Sequence, residues 1–255
     1  FTEAEFYQQN FDPRAYLEEY YSLSDSCEWA VVFLKQNLRN LHKMFSLDEL
    51  RGDTLIDVGC GPTIYQLLSA CEHFQEITAL DYTDRNRQEL EKWLRNEAGA
   101  FDWVPVVKYV CELEGDREKW AEKQEKLRKK VKRVLKCDVT KANPVAPVAL
   151  PPADCIVTTL CLEGACKDLP TFRSALRNIA GLVKQGGHLV MLTVLQETYY
   201  AFGSQVFSCL YLEKHEVEEA VQAAGFEVTF SEVQPTTVSD DCTNCSGVLS
   251  LVARR

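Results

Sequence analysis

The spacing of apolar side chains changes near residue 50, and the change separates two regions of the chain. Before it, aromatic residues recur at helical intervals, and residues 25–45 continue the same period. After it, residues 54–58 form a short β-branched run that ends at glycines, which is typical of a buried parallel strand. The pattern predicts a helical cap over residues 1–50 and an α/β core over residues 51–255, together forming a single domain.

Predicted strands and helices alternate through the core. The remaining strands are predicted over residues 77–80, 134–137, 155–160, 188–195, 226–233 and 248–252. Helices are predicted over residues 64–70, 84–95, 169–182 and 213–224. Alternation of this kind indicates a mostly parallel seven-stranded sheet with helices on both faces. The last two strands are separated by a loop without a helix, so we expect them to pair antiparallel at one edge.

Two segments interrupt this alternation. Residues 116–133 are dense in charge but keep one apolar stripe, which predicts an amphipathic helix with a solvated outer face. Residues 143–152 are rich in proline, which cannot occupy a helix interior or a central strand. This second segment is therefore predicted to be a stiff loop between elements.

The charge balance is acidic, with a formal net charge of −10 and an isoelectric point near 5.0. An acidic surface repels phosphate backbones, so nucleic acid is a poor partner, whereas cationic small molecules are attracted. No apolar run is long enough to span a bilayer and no signal-peptide pattern is visible, so neither a membrane nor secretion is expected. The eleven cysteines are irregularly spaced, which indicates a reducing compartment. We expect a cytoplasmic protein that acts as a monomer.

Cys242 and Cys245 have the spacing of a metal or redox motif. A zinc site needs a second cysteine pair or nearby histidines, and the four histidines of this chain are scattered. A redox motif needs a helix start after a strand, which this segment lacks. We interpret the spacing as chance and predict no metal.

The sharpest chemical signal is the loop at residues 57–63, which follows the first predicted strand. Gly59 and Gly61 permit a tight turn and a close approach of the backbone to a ligand. Asp81 stands about twenty residues further on, at the end of the next strand, where a carboxylate can accept both hydroxyls of a ribose. Together these features predict a nucleoside site at the carboxyl ends of the strands. A plain connection between a strand and a helix is the alternative.

NAD is the obvious rival ligand for such a loop. The dinucleotide motif requires a third glycine where the helix N-terminus receives the pyrophosphate, and Ile64 stands at that position. Pro62 occupies the turn. A ligand without phosphates fits better, and S-adenosylmethionine has none. Further along, Asp138 could accept a hydrogen bond from an adenine amino group, with Val139 offering an amide and apolar cover.

Several segments resemble the nicotinamide, phenylethanolamine and indolethylamine N-methyltransferases. The resemblance covers essentially the whole chain, and we judge it closest to the indolethylamine branch. It is carried by residues 13–21, 57–70, 89–94, 134–139 and 251–254. It implies a class I methyltransferase fold, which is Rossmann-like, with an N-terminal helical lid and S-adenosylmethionine as the cofactor.

The same resemblance implies which residues hold the cofactor. Tyr7 and Tyr16 would close the lid, with Tyr16 near the reacting groups. Cys60 departs from the serine usual in this loop, which removes a hydroxyl contact but leaves a backbone contact. The implied cofactor residues are Tyr7, Tyr16, Tyr21, Gly59, Cys60, Gly61, Thr63, Tyr65, Asp81, Tyr82, Asn86, Asp138, Val139 and Thr159.

The substrate pocket distinguishes the members of the family. Nicotinamide enzymes have an aspartate at the place of Thr193, a serine at Cys209 and a tyrosine at Val238, so nicotinamide is a poor substrate prediction. Glu163 and Glu197 fall where the phenylethanolamine enzyme has two glutamates that face its amine, while the cysteine at 209 resembles the indolethylamine branch. The implied substrate residues are Tyr16, Leu160, Glu163, Thr193, Glu197, Tyr200, Cys209 and Val238.

These observations predict an N-methyltransferase that acts on a small arylalkylamine such as tryptamine. Glu163 and Glu197 would bind the ammonium and accept its proton, with Tyr16 as the third catalytic residue. Two glutamates in ordinary solvated positions are the alternative. Methylation of a pyridine nitrogen or of a small thioether or selenoether also stays open, because neither acceptor needs deprotonation. A cofactor-binding protein without turnover is the third hypothesis.

Overall fold

A computed structural model describes residues 1–237 and 241–255 of the chain. Its main sheet has seven strands in the order β3-β2-β1-β4-β5-β9-β8. The first five of these pair in parallel, and β9 runs antiparallel to both β5 and β8. The strands are β1 (Gly52–Val58), β2 (Phe74–Asp81), β3 (Val131–Lys136), β4 (Ala153–Thr159), β5 (Val183–Leu195), β6 (Tyr199–Phe202), β7 (Gln205–Ser208), β8 (Glu227–Pro235) and β9 (Gly247–Arg254). The mostly parallel seven-stranded sheet is therefore confirmed.

Helices cover both faces of this sheet, as the alternating pattern predicts. One buried cluster includes the helical residues Phe45 and Val107, and a second includes the helical residues Phe172 and Val217. Strands of the sheet contribute residues to both clusters. The helices are α1 (Ala4–Asn10), α2 (Pro13–Tyr20), α3 (Glu28–Phe45), α4 (Asp84–Leu94), α5 (Val104–Leu113), α6 (Trp120–Lys130), α7 (Leu162–Ala165), α8 (Leu169–Ala180) and α9 (Lys214–Ala223). Within the described ranges, none of them combines the length and the apolar character that crossing a bilayer requires.

Two helix predictions were wrong in detail. Residues 64–70 form two short 3-10 turns, Tyr65–Leu67 and Ala70–Glu72, because the side chain of Gln66 bonds back to the preceding loop and competes with a regular helix. The predicted helix over residues 116–133 ends at Lys130. The chain then enters β3 directly, where Val131 and Val134 pair with β2.

The sequence patterns did not predict α5 or the hairpin formed by β6 and β7. This hairpin lies against the N-terminal helices. The backbone N–H of Thr2 donates to the Ser208 hydroxyl, and the backbone N–H of Ser208 donates to the Thr2 hydroxyl at 2.8 Å. The Tyr20 hydroxyl donates to the Ala201 carbonyl, and Gln8 exchanges two hydrogen bonds with Asp84 at the start of α4. The cap is thus tied to the core at two separate places. The assignment of residues 1–255 to a single domain stays a prediction.

Candidate active site

One cavity opens at the carboxyl ends of the parallel strands and beneath the N-terminal helices. Its volume is about 350 Å³, within the range of small-molecule sites. Gly59, Asp81, Asp138 and Thr159 line it, and each lies at or just beyond the end of one of the four strands β1 to β4. Ligands of open parallel sheets bind at this edge.

The loop after β1 turns sharply because of its two glycines. Gly59 has a φ of +75°, and a Cβ there would overlap the Sγ atom of Cys161 and lie 2.6 Å from its Cβ. Gly61 has a φ of +55°, with no atom near the position of an added Cβ, so this glycine leaves open space in the cavity. The backbone N–H groups of Gly59 and Cys60 both donate to the Leu80 carbonyl, at 2.9 and 2.8 Å, and hold the loop against β2.

Buried side chains fix the far side of this loop. The Gln66 amide donates to Asp57 at 2.7 Å and to the Thr63 carbonyl at 2.9 Å, and the Thr63 hydroxyl donates to the Cys60 carbonyl at 3.0 Å. Burial raises the pKa of Asp57 to about 7, and the Gln66 donor opposes that rise. The loop is therefore held in shape by the chain itself.

The carboxylate of Asp81 is held by three donors. Gly61 N–H reaches Oδ1 at 3.0 Å, and Thr83 N–H and Asn86 Nδ2 reach Oδ2, each at 3.1 Å. Burial raises the pKa of Asp81, and these donors oppose the rise. Asn86 also lines the cavity, and its Oδ1 has no hydrogen-bond partner among the described residues. This part of the wall offers acceptor oxygens in fixed positions.

Glu163 supplies a second buried carboxylate, from α7. It is 3% exposed, and its Oε2 accepts a hydrogen bond from the Thr193 hydroxyl on β5 at 2.6 Å. Burial raises the pKa of Glu163 to about 8, the Thr193 donor lowers it, and the negative charge of Glu197 adds to the rise. A carboxylate with a pKa near neutrality can exchange a proton with a bound base.

Glu197 lies in the same cavity and is 5% exposed. Its Oε1 accepts a hydrogen bond from the Thr243 hydroxyl, and the Cys209 thiol donates a second one. Burial raises the pKa of Glu197, and both donors oppose the rise. Each glutamate is therefore held by a threonine from a distant part of the chain.

Aromatic side chains of the cap and of the β6–β7 hairpin close the cavity from above. The hydroxyls of Tyr7 and Tyr200 lie 3.0 Å apart, and those of Tyr16 and Tyr21 lie 3.1 Å apart. Burial raises the pKa of Tyr16 to about 12, so its hydroxyl keeps its proton at neutral pH. The wall therefore presents neutral rings and hydroxyls beside the glutamates.

The charged side chains of the cavity wall are all acidic among the described residues. Among the described residues that line the cavity there is no lysine, arginine or histidine, whereas the acidic residues there are Glu3, Asp81, Asp138, Glu163 and Glu197. Such a wall attracts cationic ligands and repels phosphates. Among the described residues, no group of three or more histidine, cysteine or acidic side chains could hold a metal ion.

Comparison with known proteins gives this site its context. The family model described as the NNMT/PNMT/TEMT family matches residues 1–255. The chain belongs to this family. It is 53% identical over 255 residues to nicotinamide N-methyltransferase of Homo sapiens and 52% identical over 255 residues to indolethylamine N-methyltransferase of Oryctolagus cuniculus. Each match covers 100% of this chain and 97% of the relative. The protein is thus an N-methyltransferase of this family.

The fold comparison agrees with the family assignment. Magnesium protoporphyrin IX methyltransferase from Synechocystis PCC 6803, solved with bound SAM, superimposes with a TM-score of 0.60 at 12% sequence identity. The match covers 99% of this chain and 94% of that chain. The predicted class I methyltransferase fold is therefore confirmed.

The cavity brings together nearly all the residues that the sequence analysis assigns to this methyltransferase's site. Thr193 does not line it; the hydroxyl of Thr193 donates to Glu163 instead. Val238 lies outside the described residues. The predicted residues found on the wall are Tyr7, Tyr16, Tyr21, Gly59, Cys60, Gly61, Thr63, Tyr65, Asp81, Tyr82, Asn86, Asp138, Val139, Thr159, Leu160, Glu163, Glu197, Tyr200 and Cys209.

Sequence reasoning did not assign a number of other residues of this wall, among them a threonine beside Glu197 and three residues of α3. Thr243, which holds Glu197, is in a loop and carries no periodic signal. Trp29, Phe33 and Asn37 of α3 also line the cavity. Their four-residue spacing places them on one helix face, and that spacing could have found them.

The segment from Cys242 to Cys245 contacts the β6–β7 hairpin beside the cavity. The Cys242 carbonyl accepts a hydrogen bond from Ala201 N–H at 2.7 Å, and the buried Cys245 thiol lies 3.4 Å from the Thr236 hydroxyl. Burial raises the pKa of Cys245, which makes its thiolate scarce. The interpretation of the spacing as chance stays a prediction.

Proposed function

We propose that this enzyme transfers a methyl group from S-adenosylmethionine to the nitrogen of a small arylalkylamine. The observation that carries the proposal is the pair of buried glutamates, Glu163 and Glu197, in an aromatic cavity whose described lining residues include no lysine, arginine or histidine. A buried carboxylate is costly unless it is paired, so two of them in one cavity call for a cationic ligand.

The strand-end half of the cavity suits the cofactor. Asp81 can accept the ribose hydroxyls, and there is open space beside Gly61. Asp138 and Val139 line the same cavity, and we assign the adenine ring to them. Asn86 Oδ1, which has no partner among the described residues, is one further acceptor. When bound, S-adenosylmethionine supplies a methyl group that its sulfonium already activates for displacement.

The part of the cavity around Glu163 and Glu197, the acceptor half, must bind the amine with its nitrogen deprotonated. An alkylamine is mostly protonated at pH 7 and cannot attack until it loses a proton. We assign Glu163 as the base, because burial raises its pKa to about 8, and Glu197 as the partner that anchors the positive charge. The rings of Tyr16 and Tyr200 add cation–π attraction, and the closed cap holds the nitrogen near the methyl group.

Methylation of a pyridine nitrogen is the second candidate. It is favoured by the 53% identity to a protein named nicotinamide N-methyltransferase. Against it stands Thr193, which lies where nicotinamide enzymes have an aspartate, and which donates its hydroxyl to Glu163 without lining the cavity itself. A pyridine or thioether also has no proton for a buried glutamate to accept.

We further propose that the enzyme acts as a cytoplasmic monomer.

Transfer of labelled methyl from S-adenosylmethionine to a panel of acceptors tests the proposal. The panel is tryptamine, phenylethanolamine, nicotinamide, quinoline and dimethyl sulfide. We expect product with the arylalkylamines only. Product with the pyridines or the sulfide alone would move the assignment to the second candidate. No product from any acceptor, together with tight cofactor binding, would indicate a protein that binds the cofactor without turnover.

A further inference from the structure

We propose that Asn37 is a specificity residue that selects arylalkylamines whose ring carries an N–H or O–H donor. The inference rests on the proposed function, because it places the ammonium at the glutamates and the ring elsewhere in the same cavity. It narrows the substrate class from arylalkylamines in general to those with a polar hydrogen on the ring.

The first step is the face that α3 turns to the cavity. Trp29, Phe33 and Asn37 follow one another at four-residue intervals, and all three line the cavity. The rings of Trp29 and Phe33 stack with their centroids 4.9 Å apart and an interplanar angle of 23°. Leu34 lies beside them on the wall and is buried. This face is an apolar surface suited to a flat aromatic ring, interrupted only by one amide.

The second step is the state of that amide. Asn37 is 2% exposed, and its Oδ1 has no hydrogen-bond partner among the described residues. Buried side-chain acceptors are normally satisfied, and an unsatisfied one marks a place where a ligand or water completes the structure. Since the rest of this face is apolar, the amide is the feature that can distinguish one aromatic ring from another.

The third step is the chemistry of the ring. An oxygen acceptor requires a donor, and an indole N–H or a phenol O–H provides one. A bare phenyl ring seated on this face would bury the Asn37 oxygen without a partner. A site built to bond a substrate N–H or O–H rejects the analogue that lacks it more strongly than an apolar pocket rejects a missing methylene group.

The test compares substrates that differ only in the ring donor. Tryptamine is paired with its benzofuran analogue, in which a ring oxygen replaces the indole N–H, and tyramine is paired with phenethylamine. We expect the wild-type kcat/KM to favour the donor in each pair by about tenfold or more. In Asn37→Leu, which keeps the bulk and removes the amide, both ratios should fall to near one. The two substrate pairs show whether Asn37 recognises an N–H donor, an O–H donor or both.

The matched control is Asn40→Leu, an asparagine of the same helix that does not line the cavity, and its ratios should equal those of the wild type. Asn37→Ala serves as a second variant if the leucine variant folds poorly. Wild-type ratios near one, or ratios that Asn37→Leu leaves unchanged, would overturn the proposal while leaving the arylalkylamine assignment intact. Failure of all four amines to be methylated would overturn both.

Discussion

The two halves of the cavity hold their carboxylates in different ways. In the cofactor half, Asp81 at the end of β2 accepts two of its three hydrogen bonds from backbone N–H groups. In the acceptor half, Glu163 and Glu197 are held by the side-chain hydroxyls of Thr193 and Thr243. A backbone donor survives most substitutions, whereas a side-chain donor is lost with one. The position of Asp81 should therefore depend less on its neighbouring side chains than the positions of Glu163 and Glu197 do.

The largest expected effect that sharpens this contrast is that of Glu163→Gln. The change keeps the shape of the side chain but removes the carboxylate that we propose takes the proton from the ammonium. General base catalysis contributes about 10²–10⁴-fold, so kcat for tryptamine should fall by that factor while the dissociation constant of S-adenosylmethionine stays within about threefold. Steady-state kinetics and calorimetric cofactor binding measure the two quantities.

The control for this variant is Glu125→Gln, a change at an exposed residue of α6 whose carboxylate pairs with Arg128. It should alter neither quantity, because exposed ion pairs contribute little. Equal losses of rate and of cofactor affinity in Glu163→Gln would contradict the division of the cavity into two halves.

The same contrast explains which parts of the site could be predicted from the sequence. The cofactor half follows local rules: a buried strand, a glycine turn and a carboxylate at the next strand end, all within residues 52–81. Gly59 and Asp81 could therefore be predicted to lie on one edge of the sheet, and Asp138 follows the end of β3 at the same edge. For the same reason the strand alternation predicted the parallel sheet and the antiparallel edge.

The acceptor half depends on contacts between distant residues. Glu163 meets Thr193 because β4 and β5 are neighbours, and Glu197 meets Thr243 because residues 242–246 return beside β5 and the β6–β7 hairpin. The resemblance to known enzymes placed the glutamates. It could not predict their hydrogen-bond donors, because a threonine in a strand or a loop has no local signature of that role.

The second expected effect tests the rigidity of the cofactor half through Gly59→Ala. The added Cβ would overlap Cys161 Sγ, and the positive φ disfavours any side chain. We expect a loss of about 3 kcal/mol in the free energy of unfolding, the sum of left-handed strain and overpacking. Urea denaturation monitored by tryptophan fluorescence measures it.

Gly61→Ala is the matched control, because its φ is also positive but an added Cβ would meet no atom. Gly61→Ala should lower the free energy of unfolding by about 1 kcal/mol, from backbone strain alone. The methyl group would instead occupy space in the cavity, so cofactor affinity should fall more than stability. If both variants lost the same stability, the contact with Cys161 would not be the cause of the first effect.

The smallest effect we predict is also the most specific, and it concerns Thr193→Val. The variant removes one hydroxyl that stabilises the charged form of Glu163, and it leaves the cavity wall unchanged. The pKa of Glu163, near 8 with the hydroxyl present, should therefore rise by about one pH unit. The base must be ionised to accept a proton, so the rising limb of kcat/KM against pH should move to higher pH. At pH 7 the rate should fall about tenfold.

Thr158→Val provides the comparison, since it removes a buried threonine hydroxyl that donates to the Val58 carbonyl on the adjacent strand. It should lower the free energy of unfolding without moving the rising limb of kcat/KM against pH. Thr193→Ser keeps the hydroxyl and should keep the wild-type pH profile. In a Glu163→Gln background, Thr193→Val should have no effect on the profile. A limb that stayed in place in Thr193→Val, but vanished in Glu163→Gln, would mean that Glu163 is the base and that its threonine partner serves only to fill space. Burial alone would then set the pKa of Glu163, and the difference between backbone-held and side-chain-held carboxylates would affect the structure but not the catalysis.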